Sequence, residues 1–145
     1  MTLTTGTFFI FSPRGELIAR HENEDKSLDP KPVVKHVKPI RPDYALWDAT
    51  HLIGGKPNVY QLSNRKADTG PSDKLVWAFL KDDDPHRETW IIEPARGDHP
   101  NGYRIFTFDK KSRWVIPEGD KDGQIQCQPL GTDQQDVFLF FHVKD

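Results

Sequence analysis

The chain has one cysteine and one methionine among its 145 residues, and hydrophobic residues make up only 35% of it. A single cysteine, Cys127, excludes an internal disulfide and favours a reducing, cytoplasmic setting. No apolar run approaches the roughly 20 residues that a membrane-spanning helix needs. The opening stretch from Met1 to Ile10 has neither a basic region nor a long apolar core, so a secretory signal is not expected. Charge of one sign is also missing: 20 Lys and Arg stand against 22 Asp and Glu, for a net charge of −2. Nothing in that balance draws the chain to nucleic acid or to an anionic membrane.

Chemistry-bearing motifs are equally scarce. There is no glycine-rich phosphate loop and no GxSxG nucleophile turn. The six histidines (His21, His36, His51, His86, His99, His142) form no i, i+4 pair, and no HExxH zinc motif occurs. Asp120-Lys-Asp-Gly123 begins like a calcium loop, but Gly131 stands where the bidentate Glu would have to be. That run and Asp82-Asp83-Asp84 read as solvated turns. The densest basic cluster, Lys31, Lys35, His36, Lys38 and Arg41, carries no interleaved aromatics of the kind nucleic-acid surfaces use. Cys127 alternates with Ile125, away from Gln124, Gln126 and Gln128, which points it inward and makes it a poor nucleophile. No metal, cofactor or catalytic residue is expected, and the chain reads as a non-enzyme.

What the chain does have is rings and turns. Nine Phe, four Trp and three Tyr exceed what a disordered chain carries, and ten Gly and twelve Pro divide it into short pieces. Helical periodicity is nearly absent. The patterning gives strands over 7–12, 16–20, 33–37, 44–49, 58–63, 75–80, 89–93, 103–108, 113–116, 124–129 and 137–143, with one more inside 65–73. About twelve strands suit an all-β barrel or sandwich.

A repeat narrows the choice. An aromatic alternating strand follows Gly6, Asn58 and Asn101, and an aromatic closing strand recurs around Trp47, Trp90 and Phe138. Trp90 follows Trp47 by 43 residues, and Phe138 follows Trp90 by 48. Three units of four strands, near 6–50, 51–96 and 97–145, make one β-trefoil domain over residues 1–145. No unit of that kind buries its own aromatic face, so the three pack around a pseudo-threefold axis as a monomer. The expected anchors are Phe8, Ile10, Trp47, Trp90, Tyr103, Ile105, Phe138 and Phe140.

One connection is out of proportion. His21 to Pro32 is long, polar and charged between two short strands, and long loops on rigid β scaffolds are where binding residues gather. Ile18-Ala-Arg20 and the run from Glu24-Asp-Lys-Ser-Leu28 to Asp29-Pro-Lys-Pro-Val33 resemble the first-unit signature of the mycospins, serine protease inhibitors of mushrooms. The chain departs from that pattern at Ala19, where the family has Gly, and at Lys26, where it has Arg. Later blocks also resemble the family: 74–80 with 88–92, Tyr103-Arg-Ile105, Trp114-Val-Ile-Pro117 and 124–130.

The resemblance implies a β-trefoil that binds a trypsin-like serine protease through the loop between the second and third strands. On this chain that loop presents Asn23, Glu24, Asp25, Lys26, Ser27 and Leu28. A trypsin-like specificity pocket carries an aspartate and accepts Lys or Arg. Lys26 is the preferred contact, because it lies mid-loop and Ser27 follows it. Lys31 is disfavoured by Pro32, Arg20 lies at a strand end, and the acidic neighbours Glu22, Glu24 and Asp25 count against Lys26. The bland reading is that these charges merely pair with one another.

A second loop, with Asn64, Arg65 and Lys66, is the secondary candidate. Asn64 would suit an asparagine-reading cysteine protease, and Arg65 or Lys66 a trypsin-like one. The opposing class is a carbohydrate-binding β-trefoil. The Gln-x-Trp motif of ricin-type lectins precedes none of Trp47, Trp77, Trp90 and Trp114.

Overall fold

A computed structural model describes residues 3–97, 99–131 and 134–143. Thirteen strands and one short 3-10 turn account for nearly all regular structure among these residues. In chain order the strands are β1 (Gly6–Phe11), β2 (Leu17–Arg20), β3 (Lys31–His36), β4 (Leu46–His51), β5 (Val59–Asn64), β6 (Ala67–Ser72) and β7 (Leu75–Phe79). They continue as β8 (Trp90–Pro94), β9 (Gly102–Thr107), β10 (Ser112–Val115), β11 (Gly123–Gln124), β12 (Gln126–Pro129) and β13 (Phe138–His142).

Six of them close a ring. β1 pairs β4, β4 pairs β5, β5 pairs β8, β8 pairs β9, β9 pairs β13, and β13 returns to β1, all antiparallel. A closed ring leaves no strand edge open to another chain. The remaining strands form hairpins that interlock over the ring. β3 pairs β7 at Lys31↔Ala78 and Pro32↔Trp77, β12 pairs β7 at Gln126↔Leu75, and β11 pairs β3 at Gly123↔Lys35.

Alternation along these strands sends Phe8, Ile10, Trp47, Trp90, Ile105, Phe138 and Phe140 inward, where all are buried. Tyr103 is half-buried and packs on the same cluster. Trp114 on β10 sits between the closing residues: its ring centroid lies 6.0 Å from Trp47, 5.4 Å from Trp90 and 5.7 Å from Phe138. All three contacts are edge-on, the arrangement the ring quadrupole prefers. Trp47 and Trp90 are further pinned by their indole N–H groups, which donate to the Ile18 carbonyl and the Thr69 hydroxyl.

The structure departs from the sequence expectation in three places beyond small shifts of strand ends. The loop expected over His21–Pro32 ends at Pro30, because Lys31 and Pro32 pair with Ala78 and Trp77 as the start of β3. The strand expected over 124–129 breaks at Ile125. That residue donates to the Val33 carbonyl and accepts from Val76 N–H, so its backbone serves β3 and β7 instead of β10. The strand expected from Tyr44 begins only at Leu46, because Pro42 at the first position of a 3-10 turn sets its φ and carries the chain through Tyr44 as a turn. Cys127 is buried as expected, and burial pushes its thiol pKa up to about 12. It is a protonated core residue at neutral pH.

Trp114→Ala removes the shared neighbour of Trp47, Trp90 and Phe138 and leaves a cavity no surrounding ring can fill. The expected loss is about 3–5 kcal/mol in urea unfolding with the m-value unchanged. A loss under about 1 kcal/mol would show that the three closing residues do not depend on it.

Candidate functional site

The segment 21–30 joins β2 to β3. It has no regular structure of its own, yet side chains brace both legs. On the N-terminal leg, Glu24 turns back to the end of β2. Its two oxygens accept from Arg20 Nη2 at 2.6 Å and Arg20 Nε at 3.1 Å, a fork in which both side chains are largely buried. Arg65 Nη2 approaches the same carboxylate at 3.3 Å and donates to the His21 carbonyl at 2.7 Å.

Behind this fork stands Asn64, wholly buried at the end of β5. Its Oδ1 accepts from Arg20 N–H, its Nδ2 donates to the Leu46 and Tyr44 carbonyls, and its own carbonyl accepts from Arg20 Nη1. One side chain thus ties β2, β4 and β5 together under the loop. The tight turn after it holds Arg65 at φ +50° and Lys66 at φ +67°, the left-handed region that costs an ordinary residue roughly 1–2 kcal/mol. That turn delivers the Arg65 guanidinium to Glu24 and over the Tyr44 ring at 4.7 Å.

The C-terminal leg is organised around a buried ammonium. Lys31, the first residue of β3, is 5% exposed, and its Nζ donates to Asp25 Oδ1 and Ser27 Oγ. Asp25 Oδ1 also accepts from Ser27 N–H and Ser27 Oγ, and Ser27 Oγ accepts from Asp29 N–H. This is an Asx turn with a cation at its centre. The Lys31 ammonium and the two Ser27 donors hold the Asp25 carboxyl down at about 2.

Of the residues singled out in the sequence, Asn23, Asp25, Lys26, Ser27 and Leu28 are exposed, Leu28 by 61%. Glu24 is not; it is the strut of the N-terminal leg. The acidic neighbours that counted against Lys26 are each engaged elsewhere: Glu24 by Arg20 and Arg65, Asp25 by Lys31, and Glu22 by the backbone N–H of Arg41. Among the described residues no carboxylate lies in ion-pair range of Lys26, so the bland pairing of Glu24, Asp25 and Lys26 with one another does not occur. In the second loop, Lys66 alone is exposed. Asn64 as an asparagine offered to a protease is corrected: its amide is buried and fully hydrogen-bonded, and presenting it would break the contacts that join three strands. Arg65, half-buried, belongs to the first loop's bracing instead of forming a separate contact. Alternation hides both roles, because the partners of Asn64 lie 18 to 44 residues away in sequence.

A family model described as peptidase inhibitor I66 matches residues 1–141. No curated protein matches the chain. Among solved structures, a proteinase inhibitor from Coprinopsis cinerea is 20% identical, with a TM-score of 0.76 over 98% of this chain and all of the other. A protein called BEL beta-trefoil is 15% identical, with a TM-score of 0.70 over 99% of this chain and 97% of the other. SeviL, in a structure titled as bound to asialo-GM1 saccharide, is 15% identical, with a TM-score of 0.68 over 97% of this chain and all of the other. At these identities the structural likenesses speak to fold alone, and the fold is all-β and trefoil-like.

Two expectations follow from the bracing. Glu24→Ala leaves the buried Arg20 guanidinium without its carboxylate and should lower unfolding stability by about 3 kcal/mol, with faster amide exchange across 21–25. The second concerns Asp25. Its folded pKa lies below the ordinary value near 3.8, so its bracing is complete above pH 4 and is lost as pH falls through about 2. An NMR titration of the Asp25 carboxyl should place its midpoint near 2; a midpoint near 4 would mean that the Lys31 contact is not formed in solution.

Proposed function

The chain belongs to the peptidase inhibitor I66 family, and from that premise we propose that it inhibits a trypsin-like serine protease by seating loop 21–30 in the active-site cleft with Lys26 in the specificity pocket. Family membership makes protease inhibition its function, a matter of binding and not of reaction. The choice of loop and protease class is our reading. The observation that carries it is the bracing on either side of Lys26: the loop is tied to the scaffold at both legs, and its tip offers a single cation with no intramolecular partner among the described residues.

A loop held in this way loses little conformational entropy on docking, so more of the contact energy appears as affinity. The same bracing resists turnover. The bond a trypsin-like enzyme would cut joins Lys26 to Ser27, and Asp25 spans it by accepting from Ser27 N–H and Ser27 Oγ. After cleavage the new amine would stay beside the acyl carbon, where re-forming the bond competes with hydrolysis. Leu28 supplies an exposed apolar side chain on the leaving side.

We also read the three strand groups as four-stranded repeats around a pseudo-threefold axis. The ring alternates pairings within a unit (β1 with β4, β5 with β8, β9 with β13) and pairings between successive units, which supports that description.

Lys26→Ala should weaken trypsin inhibition by at least about 2 kcal/mol, roughly 30-fold, by leaving the pocket aspartate unpaired. Lys26→Arg should preserve inhibition, and neither change should alter thermal stability. Lys66→Ala is the matched control, exposed and outside the bracing. Loss of inhibition in the control with none in Lys26→Ala would assign the contact to the second loop, and a wild-type chain inert toward every trypsin-like enzyme would reject the protease class.

A further inference from the structure

The C-terminal leg of the loop is also one wall of a cleft of about 410 Å³. Asp29 and Pro30 line it from the loop, and Trp77 and Phe79 on β7 supply an aromatic floor. Two further carboxylates close the rim, Asp73 in the turn between β6 and β7 and Asp84 in the connection to β8. The one other titratable group on the lining is His86, which stacks on Phe79 with ring centroids 5.7 Å apart and lies 3.0 Å from Asp84 Oδ1. Among the described residues, no Lys or Arg lines the cleft. The Trp77 indole N–H donates to the Ser72 carbonyl, so the ring contributes aromatic carbon to the lining and no free donor.

A π surface ringed by three carboxylates is complementary to a cation with an apolar stem. We propose that this cleft receives an Arg or Lys side chain from the rim of the protease that the loop blocks, as a second contact on the leaving side of Lys26. The inference rests on the function proposed above for loop 21–30. It follows from continuity, because residues 27–30 run from the contact tip directly into the cleft wall. On the opposite flank Arg41 and Arg65 both lie 4.7 Å from the Tyr44 ring but are paired with Asp43 and Glu24, while Lys66, next to Arg65 in the chain, is exposed. The cleft flank alone therefore offers a concentration of carboxylates, and charge complementarity of this kind acts chiefly on association rate and register.

The test uses two readouts. Trp47, Trp90 and Trp114 are fully buried, so Trp77 alone reports a ligand in the cleft. Titration with Nα-acetyl-arginine amide should shift the Trp77 indole N–H resonance saturably, whereas the neutral citrulline analogue and lactose should not. The triple variant D29N/D73N/D84N should abolish the shift. It is close to isosteric; Asn tolerates the φ of +54° at position 73 and keeps an acceptor for His86 N–H at position 84. The same variant should lose roughly tenfold in affinity for trypsin at low salt, mainly through slower association, with the gap closing at high salt. Undiminished inhibition by the triple variant overturns the inference and leaves the proposed function standing, as does a response to citrulline or lactose equal to that of arginine. If the wild-type chain inhibits no trypsin-like protease, the proposed function fails, and the arginine titration alone then decides the cleft: a saturable shift keeps a basic-side-chain site, and no shift removes it.

Discussion

Closure of the strand ring around a few large rings is the constraint on which the other features rest. Hydrophobic residues make up 35% of the chain, and the core packs aliphatic side chains such as Ile10, Ile18, Leu62, Ile92, Ile105 and Ile125 around a set of large rings. Trp114 stands among those rings and contacts three of the residues that close the strand ring. Each of these rings removes a large area from water. The hairpins that interlock above them stand on this packed floor, and the loop between β2 and β3 is braced against them.

The second economy lies in the cations. Lys31, Lys35, Arg20 and Arg113 are all buried, a placement that is unfavourable without partners. Each has them. Lys35 donates to the Pro117 and Gly119 carbonyls, at 2.8 and 2.7 Å, with Glu16 3.7 Å away. Arg113 donates to the Gly131 carbonyl and pairs with Asp136. These groups do the work that apolar packing does in larger cores, but directionally: each ties a specific loop to a specific strand. Removing one partner therefore loosens a particular loop rather than the core as a whole.

This division explains what was legible in the amino-acid order. The core was legible because alternation is local: Phe8 and Ile10, or Ile125 and Cys127, declare their side of the sheet within a few residues. The long connection was legible too, but as 21–32; that Lys31 and Pro32 belong to β3 depends on their pairing with Ala78 and Trp77, far away in the chain. The struts were not legible. Asn64 follows an alternating strand and precedes two basic residues, which makes it look like the start of an exposed loop; its burial depends on Arg20, Tyr44 and Leu46, brought to it only by ring closure. Lys31 looks like a solvated charge next to Pro32, and nothing nearby in sequence says that its ammonium sits beneath Asp25 and Ser27. The break at Ile125 is likewise a demand of β3 and β7, far away in the chain. Hydrophobic signals are read from neighbours, whereas polar bracing is a property of the assembled fold.

The distinction bears on how a loop of ordinary composition could block a protease instead of being digested by it. Substrates and inhibitors of this kind offer the same chemistry at the tip, a cation followed by a small residue. What differs is where the flanking residues are anchored. Here the N-terminal leg is held through Glu24 to Arg20 on β2 and to Arg65 in the turn after β5, the C-terminal leg through Ser27 to Lys31 on β3, and Asp25 bridges from the N-terminal side of Lys26 to the same ammonium. β2 and β3 are themselves paired over four residues, from Leu17↔His36 to Arg20↔Val33. Cutting the tip therefore frees neither end. Separation of the two ends would require breaking a buried arginine fork or drawing a buried ammonium out of its cradle, each of which is unfavourable while the aromatic floor beneath the cap remains intact. Under the proposed inhibitory mode, resistance to cleavage would be a property of the cap and the ring, and the tip residue would set only which protease meets it.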